Sequence, residues 1–402
     1  MIMKKLLIFA ISAMLIMVGC GKNETDDNKP NKPDSENPEK PDDSDSDKLP
    51  ELPDPTDVCS GMDDFEFMRY CYIYFDDNQD GKISEQEAKA AKKIECDNLK
   101  ITSFKGIEYF PNLETFSCKS NSKVKAIDLS HNKKISYLPI ESLRNCTSLT
   151  SIALPNSITL IGDKVFDGCT SLSGVYITDI VAWCSIDFGD NPLSYAHNLY
   201  LNGKLVTDLV IPNSATQISD YAFSGCTSIT SVSIPDSVTK IGLLAFGQCA
   251  GLTSITFGKG VTEIGWRTFR DCTNLPSVTI PDSVTKIGEQ SFFGCTGLTS
   301  VTIGKGVTEI GVSAFHNCTG LTNVTIPDKV TKIGDLAFYE CTNLKSVYCK
   351  PTTPPALSHS TASDYDQTFP SCTIYVPQAS INRYKSAYGW AHYASRIQGY
   401  NF

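Results

Sequence analysis

Histidine and tryptophan are nearly missing from this chain, with five and three copies in 402 residues. The histidines, at 131, 197, 316, 359 and 392, fall in no spacing used to ligate a metal or activate a nucleophile. Positive charge is in deficit as well: 35 Lys and Arg face 45 Asp and Glu, giving a net charge of -10. With no basic patch carrying interleaved aromatics, a nucleic-acid partner is excluded. The one long apolar run, Leu6 to Val18, is too short to cross a bilayer. Gly258-Lys259-Gly260 and Gly304-Lys305-Gly306 lack the spacing of a phosphate loop. Carboxylates in the second half alternate with lysines rather than with one another, so no glycosidase-type acid pair is suggested. These absences point to a protein that is not an enzyme.

What the chain does have is a period. Cysteines stand at 226, 249, 272, 295, 318 and 341, each 23 residues after the last. A fixed period of this size marks a solenoid, whose coils cannot bury their apolar faces singly. Within one coil, Val301 and Ile303 share one face of a short strand, and Val307 and Ile310 lie on a second short segment. Ala314, Phe315 and Cys318 close the coil in a helical turn or tight bend. Ten residues after each cysteine the charge alternates through Asp236, Lys259, Asp282, Lys305 and Asp328. Fourteen after, it alternates oppositely through Lys240, Glu263, Lys286, Glu309 and Lys332. Stacked about 4.8 Å apart, both columns are expected to form ion pairs that keep the coils in register. The cysteines are expected to be buried free thiols, because parallel rungs hold Cβ atoms outside the usual disulfide range.

The repeated text, as in Cys295-Thr-Gly-Leu-Thr-Ser-Val-Thr-Ile, resembles the BspA-like leucine-rich repeat, the Treponema-type variant found in surface proteins of Bacteroides relatives. The resemblance implies a curved leucine-rich-repeat solenoid and, for some members, adhesion to host or bacterial surface proteins. The expected fold is an α/β-type solenoid, mostly β: a stack of 23-residue coils with an N-terminal EF-hand-like helix-loop-helix and a C-terminal cap.

In chain order, 1–19 reads as a lipoprotein signal peptide, and Met17-Val18-Gly19-Cys20 resembles a bacterial lipobox that would lipidate Cys20. Glu24, Asp26 and Asp27 look like the surface-export signal of Bacteroides lipoproteins. Residues 20–58 are too polar to fold and form a solvated tether. The module at 59–93 holds Asp76-Asp77-Asn78-Gln79-Asp80-Gly81-Lys82-Ile83-Ser84-Glu85-Gln86-Glu87, which matches the EF-hand loop at each diagnostic position. Asp76, Asn78, Asp80, Lys82 (through its carbonyl), Ser84 and Glu87 are the expected ligands of one structural Ca²⁺. The preceding helix is expected to bury Phe65, Met68, Tyr72 and Phe75, and Glu85 to Lys93 to form the following one.

Residues 94–145 carry leucine-rich repeats of another form, with Asn121 and Asn132 expected to bond inward to backbone. The 23-residue form runs over 146–348, with an insertion near 181–201 and Gly203 taking a cysteine position. Trp183, Tyr195, His197 and Tyr200 in that interruption either make a contact site or pack under it. Residues 349–402 form a cap whose aromatics read as core. Outward strand positions Ser231, Ser233, Ser254, Thr256, Ser277, Thr279, Ser300, Thr302, Asn323 and Thr325 form a broad surface of low charge suited to a large partner. The expected protein is a lipid-anchored outer-membrane lipoprotein at the cell surface that binds a protein ligand, such as a host extracellular-matrix or bacterial surface protein. The membrane is contacted through the lipid anchor alone. A glycan-binding or envelope-scaffold lipoprotein is the alternative, disfavoured because the regular coils offer almost no aromatic platforms.

Overall fold

The apolar side chain that recurs just before each cysteine sets the architecture. Phe223, Phe246, Phe269, Phe292, Phe315, Phe338 and Phe369 stack as one ladder of nearly parallel rings, centroid to centroid 5.3–5.7 Å. Each such contact contributes about 0.5–1.5 kcal/mol beyond its area burial. The structure, a computed structural model, describes residues 54–358 and 368–402. Cys20, the signal peptide and all but the last residues of the tether lie outside them. The fold is a mostly-β solenoid of about 13 coils of roughly 23 residues.

Each regular coil contributes two short strands parallel to those of its neighbours, in ladders that break after Ser254–Thr256 and Ser300–Thr302 on the first side and after Lys240–Ile241 on the second. Ser277–Thr279 pairs with Ser300–Thr302, setting Val278 on Val301. The second strands run Glu263–Ile264, Lys286–Ile287, Glu309–Ile310 and Lys332–Ile333. The third side of the coil is a set of tight turns, not a helix. Coils are joined there too, as in the Phe292 N–H bond to Ala314 O (2.8 Å) and the Phe315 N–H bond to Ala337 O (2.8 Å).

That turn demands a left-handed residue just before the cysteine. Gly225, Gln248, Asp271, Gly294, Asn317 and Glu340 all have φ between 58° and 78°. Only glycine adopts this region without a steric cost of roughly 1 kcal/mol. Gln248 is exposed, so Gln248→Gly is expected to raise stability by up to about 1 kcal/mol, read as a higher denaturation midpoint.

The cysteines of the repeats are free and buried, as expected. Their thiols donate to the carbonyl of the preceding ladder phenylalanine: Cys272 to Phe246 O at 3.2 Å, Cys295 to Phe269 O at 3.1 Å, Cys318 to Phe292 O at 3.2 Å. Burial pushes the Cys295 thiol up to about 12. The charge columns divide. In the second, Glu263 pairs with Lys286 (3.4 Å) and the half-buried Glu309 with exposed Lys332 (3.0 Å), surface pairs each worth at most about 1 kcal/mol. In the first, the expected ion pairs do not form. The Asp236 and Asp282 carboxylates instead accept the backbone N–H of Lys259 and Lys305, both at 2.7 Å.

Asn121 and Asn132 are fully buried and bond inward. The interruption is organised differently from its sequence spacing. Val175 pairs with Leu199, so buried Leu193 holds the place in its coil that cysteine holds elsewhere. Gly203 instead sits in open space, with φ 76°, between antiparallel strands Leu199–Leu201 and Lys204–Leu205.

Both ends of the stack are covered. At the first coil, helix α1 (Phe65–Phe75) buries Phe67, Tyr70 and Cys71. Of the four residues expected to face inward, Met68, Tyr72 and Phe75 pack against the core partly buried, whereas Phe65, next to the capping Asp64, is 73% exposed. Helix α2 spans Glu85–Ala90, and Lys93 already begins a strand. At the last coil, Tyr384, Trp390 and Tyr393 are buried, and Trp390 packs on Phe369 at 5.6 Å. Tyr388, by contrast, is exposed.

Candidate functional site

Two places stand out: the loop between α1 and α2, and the outward face of the first strands.

The loop is built from its own hydrogen bonds. Asp76 Oδ2 accepts the Gly81 N–H (3.0 Å), Asn78 Oδ1 that of Asp80 (2.9 Å), and Asp80 Oδ1 that of Lys82 (2.9 Å). Gly81, at φ 79° with open space around it, makes the bend possible. Glu87 reaches back as the third residue of α2. Its Oε2 accepts Ser84 N–H (2.8 Å) and Ser84 Oγ–H (2.7 Å), and its Oε1 accepts the Asp77 N–H (3.1 Å). The Ser84 hydroxyl and backbone hold the Glu87 carboxyl below its ordinary 4.5. The arrangement gathers six oxygen-bearing residues around one short loop, the hard donor set that suits Ca²⁺. Among the described residues no three His, Cys, Asp or Glu side chains converge closely enough to hold an ion. Glu87 is engaged in capping α2.

The segment before α1 wraps this loop. Asp57 Oδ1 accepts the Ile83 N–H (3.1 Å), Val58 N–H donates to Ile83 O (2.9 Å), and Lys82 pairs with Asp54 at 2.8 Å. Asp64 fixes the module to the first coil by accepting Thr102 N–H (2.7 Å), Thr102 Oγ1–H (2.6 Å) and Phe67 N–H (2.8 Å). Burial works to raise the Asp64 pKa, but the Thr102 hydroxyl and these N–H groups outweigh it, and it falls below 3.8. A carboxyl with a depressed folded pKa stabilises fully above its unfolded value and loses that contribution as pH falls through the folded one. Acidification below about pH 4 is therefore expected to release the amides of α1 before those of the coils between Cys226 and Cys341. Hydrogen exchange at stepped pH checks the order, and simultaneous release would refute it. Asp190, in the interruption, has the opposite sign: burial raises its pKa.

On the sheet face, the ten expected binding residues form two columns. Ser231 aligns with Ser254 and Ser277 with Ser300; Ser233 aligns with Thr256 and Thr279 with Thr302. Eight of the ten are exposed, and Ser231 and Thr325 are half-buried. None is charged. Sequence reasoning missed what stands at the ends of the second column. Tyr176 and Tyr200 stack at 4.4 Å on one side of it. On the other, Thr325 aligns with Tyr348, which stacks on Tyr375 at 5.0 Å, with Tyr400 edge-on to both. The face therefore carries aromatic platforms at its ends, outside the regular coils. They sit in irregular coils, so the repeat hid them; the register alone brings them together. Of the interruption's other aromatics, Trp183 is buried with Nε1–H on Ala222 O (2.8 Å), and His197 Nδ1 lies 2.9 Å from Gly225 O. Trp183 packs inside, whereas His197 is exposed.

No described helix is long and apolar enough to cross a membrane. Among solved structures, the chain is similar to a leucine rich cell surface protein from Faecalibacterium prausnitzii (22% identity, 67% of this chain and 84% of that one, TM-score 0.38). It is also similar to the pneumococcal vaccine antigen PcpA (17% identity, 78% and 76%, TM-score 0.42). A leucine rich repeat protein of Treponema pallidum is 28% identical over 36% of this chain and 58% of its own, with a TM-score of 0.27. No curated protein matches. The sequence model of the BspA type leucine rich repeat region matches six copies, over residues 92–187, 196–281 and 262–356, which is more than half of the chain. The protein belongs to the BspA type leucine rich repeat family.

Proposed function

We propose that this protein is a cell-surface lipoprotein whose solenoid binds a protein partner through the outward face of its first strands, in adhesion to a host or bacterial surface protein. The single observation that carries the reading is the uncharged, largely hydroxyl-bearing outward face of five successive coils from Ser231 to Thr325, in strand register from Ser231 to Thr256 and again from Ser277 to Thr302. Membership in a leucine rich repeat family supports a binding scaffold over a catalyst. The lipobox at Met17–Cys20 supports anchorage to the outer membrane through Cys20.

In the same reading the loop from Asp76 to Glu87 holds one Ca²⁺ through Asp76, Asn78, Asp80, Ser84, Glu87 and the Lys82 carbonyl. When bound, the ion would supply a positive charge that draws the loop carboxylates together. The residues themselves set the loop's bend and tie it, through Asp57 and Asp64, to the first coil.

The test is direct. Thr256→Arg and Thr279→Arg place long charged side chains in the middle of the face without touching the core. Binding of the full chain to purified extracellular-matrix proteins is expected to fall at least tenfold with thermal stability unchanged. Undiminished binding by both variants would move the site off this face.

A further inference from the structure

Beyond a large protein partner, one cleft at the end of the sheet face is built for a smaller ligand. It holds about 660 Å³, within the range of small-molecule sites, and lies between the coils of Thr302 and Thr325 and the chain's last aromatic residue, Phe402. We propose that it is a saccharide-binding site taking a short oligosaccharide with an acidic group.

Three observations meet there. The first is a broken period. Asp236 and Asp282 each spend a carboxylate oxygen on the N–H of the residue 23 positions on. For Asp328 that residue is Pro351, which has no N–H to give. Asp328 is exposed, and its carboxylate makes no ion pair or hydrogen bond among the described residues. The repeat has thus freed one acceptor-only group at the wall of a cleft.

The second is uncompensated positive charge. Lys305 and Lys350 line the same cleft, and neither forms an ion pair among the described residues. Among the lining side chains, two ammonium groups stand against one carboxylate, an excess of positive charge for the occupant to answer. The hydroxyls of Thr302 and Thr325 add donors and acceptors that have no partner of their own.

The third is an aromatic wall. Phe402 is half exposed, Lys350 lies 5.8 Å from its ring centroid, and Tyr400 braces it at 5.0 Å. Behind Tyr400 stand the stacked Tyr348 and Tyr375. A sugar ring has an apolar face for such a wall, hydroxyl donors for the Asp328 carboxylate, and acceptors for threonine and lysine. A uronate or similar acid would neutralise the remaining lysine. A purely apolar ligand would leave three charges unanswered.

The probes are trigalacturonic acid, the matching neutral galactose trimer, a panel of sialylated and sulfated oligosaccharides, and an acidic tyrosine-containing peptide, titrated calorimetrically into the full chain. At least one acidic oligosaccharide is expected to bind, with its neutral counterpart tenfold or more weaker. Lys350→Met should weaken it about tenfold, and Phe402→Ala should remove it. Phe402→Leu, which keeps the apolar bulk and loses the π face, should do nearly the same, with the melting temperature as control for folding. Binding of no acidic saccharide, binding indifferent to Phe402 and Lys350, or tighter binding of the peptide would each overturn the proposal. The outcome is separable from the protein-binding reading, which Thr256→Arg and Thr279→Arg test on coils outside the cleft.

Discussion

Glu87→Gln is expected to lower Ca²⁺ affinity by at least a hundredfold while leaving α2 folded. Glutamine keeps a carbonyl oxygen that can accept the Ser84 N–H and Oγ–H bonds now made by Glu87 Oε2. It cannot supply the charge and the two equivalent oxygens that the closing position of such a loop contributes. In the structure Glu87 serves as a helix cap, so an ion would have to compete with that role. Two consequences follow. Calcium uptake should weaken the Ser84–Glu87 contact, visible as faster exchange of the Ser84 amide. The variant should show neither the uptake nor that change. Calorimetry with calcium alone decides the matter: unchanged affinity in Glu87→Gln sinks the assignment, and no affinity in the unsubstituted chain sinks it sooner. Lys82→Ala is a useful companion, since its carbonyl remains and only its ion pair with Asp54 is lost. Calcium affinity should then stay within about twofold.

How far the fold could be read in advance depended on whether a feature repeats. The 23-residue spacing of Cys249, Cys272 and Cys295 says which residues point inward, because each coil sees the same two neighbours. The second charge column was legible for the same reason, since Glu309 and Lys332 are opposite partners in a parallel register. The first column was misread because side-chain charge was weighed and backbone donors were not. Asp236 lies within 2.7 Å of the Lys259 N–H, and an N–H held in place by the coil needs no long side chain to be ordered around it. The two left-handed positions per coil, such as Leu244 and Gln248, are not legible in the sequence because most of the residues filling them are not glycine.

The candidate sites divide the same way. The Asp76–Glu87 loop is local in sequence, so its pattern is readable without a fold. The aromatic clusters are not: Tyr348 and Tyr375 are 27 residues apart, off the period, and Tyr400 arrives on the closing strand Ile397–Tyr400. Only strand register places them side by side. Asp328 is informative for a similar reason, because its meaning lies in Pro351, a residue in the next coil.

The second large effect concerns two asparagines that the leucine-rich pattern treats as equivalent and the structure does not. Asn121 Oδ1 accepts the Ile101 N–H at 2.9 Å, and its Nδ2 donates to Cys96 O and Cys118 O, both at 2.8 Å. All of its hydrogen-bonding sites but one lone pair are spent on buried backbone. Asn132 uses only Nδ2, on Ile107 O and Phe110 O, and its Oδ1 has no partner. Leaving a buried backbone group unpaired costs about 1–3 kcal/mol. Asn121→Ala strands two such groups, the Ile101 N–H and Cys96 O, while Cys118 O keeps the Asn121 N–H, and is expected to destabilise the first coils by about 3 kcal/mol. Asn132→Ala strands neither carbonyl, since Ile107 O and Phe110 O keep the N–H groups of Phe110 and Leu113, and it removes an oxygen that was itself unpaired, so about 1 kcal/mol is expected. Asn121→Asp should be at least as harmful as Asn121→Ala, because it keeps the size but turns a donor into an acceptor facing two carbonyls. Stability in a solenoid couples chiefly to neighbouring coils, so the loss should be confined to residues 94–130. Hydrogen exchange resolved by coil would read both its size and its reach. Equal effects of Asn121→Ala and Asn132→Ala would mean that these side chains act through volume alone, and the difference in their bonding carries no energy.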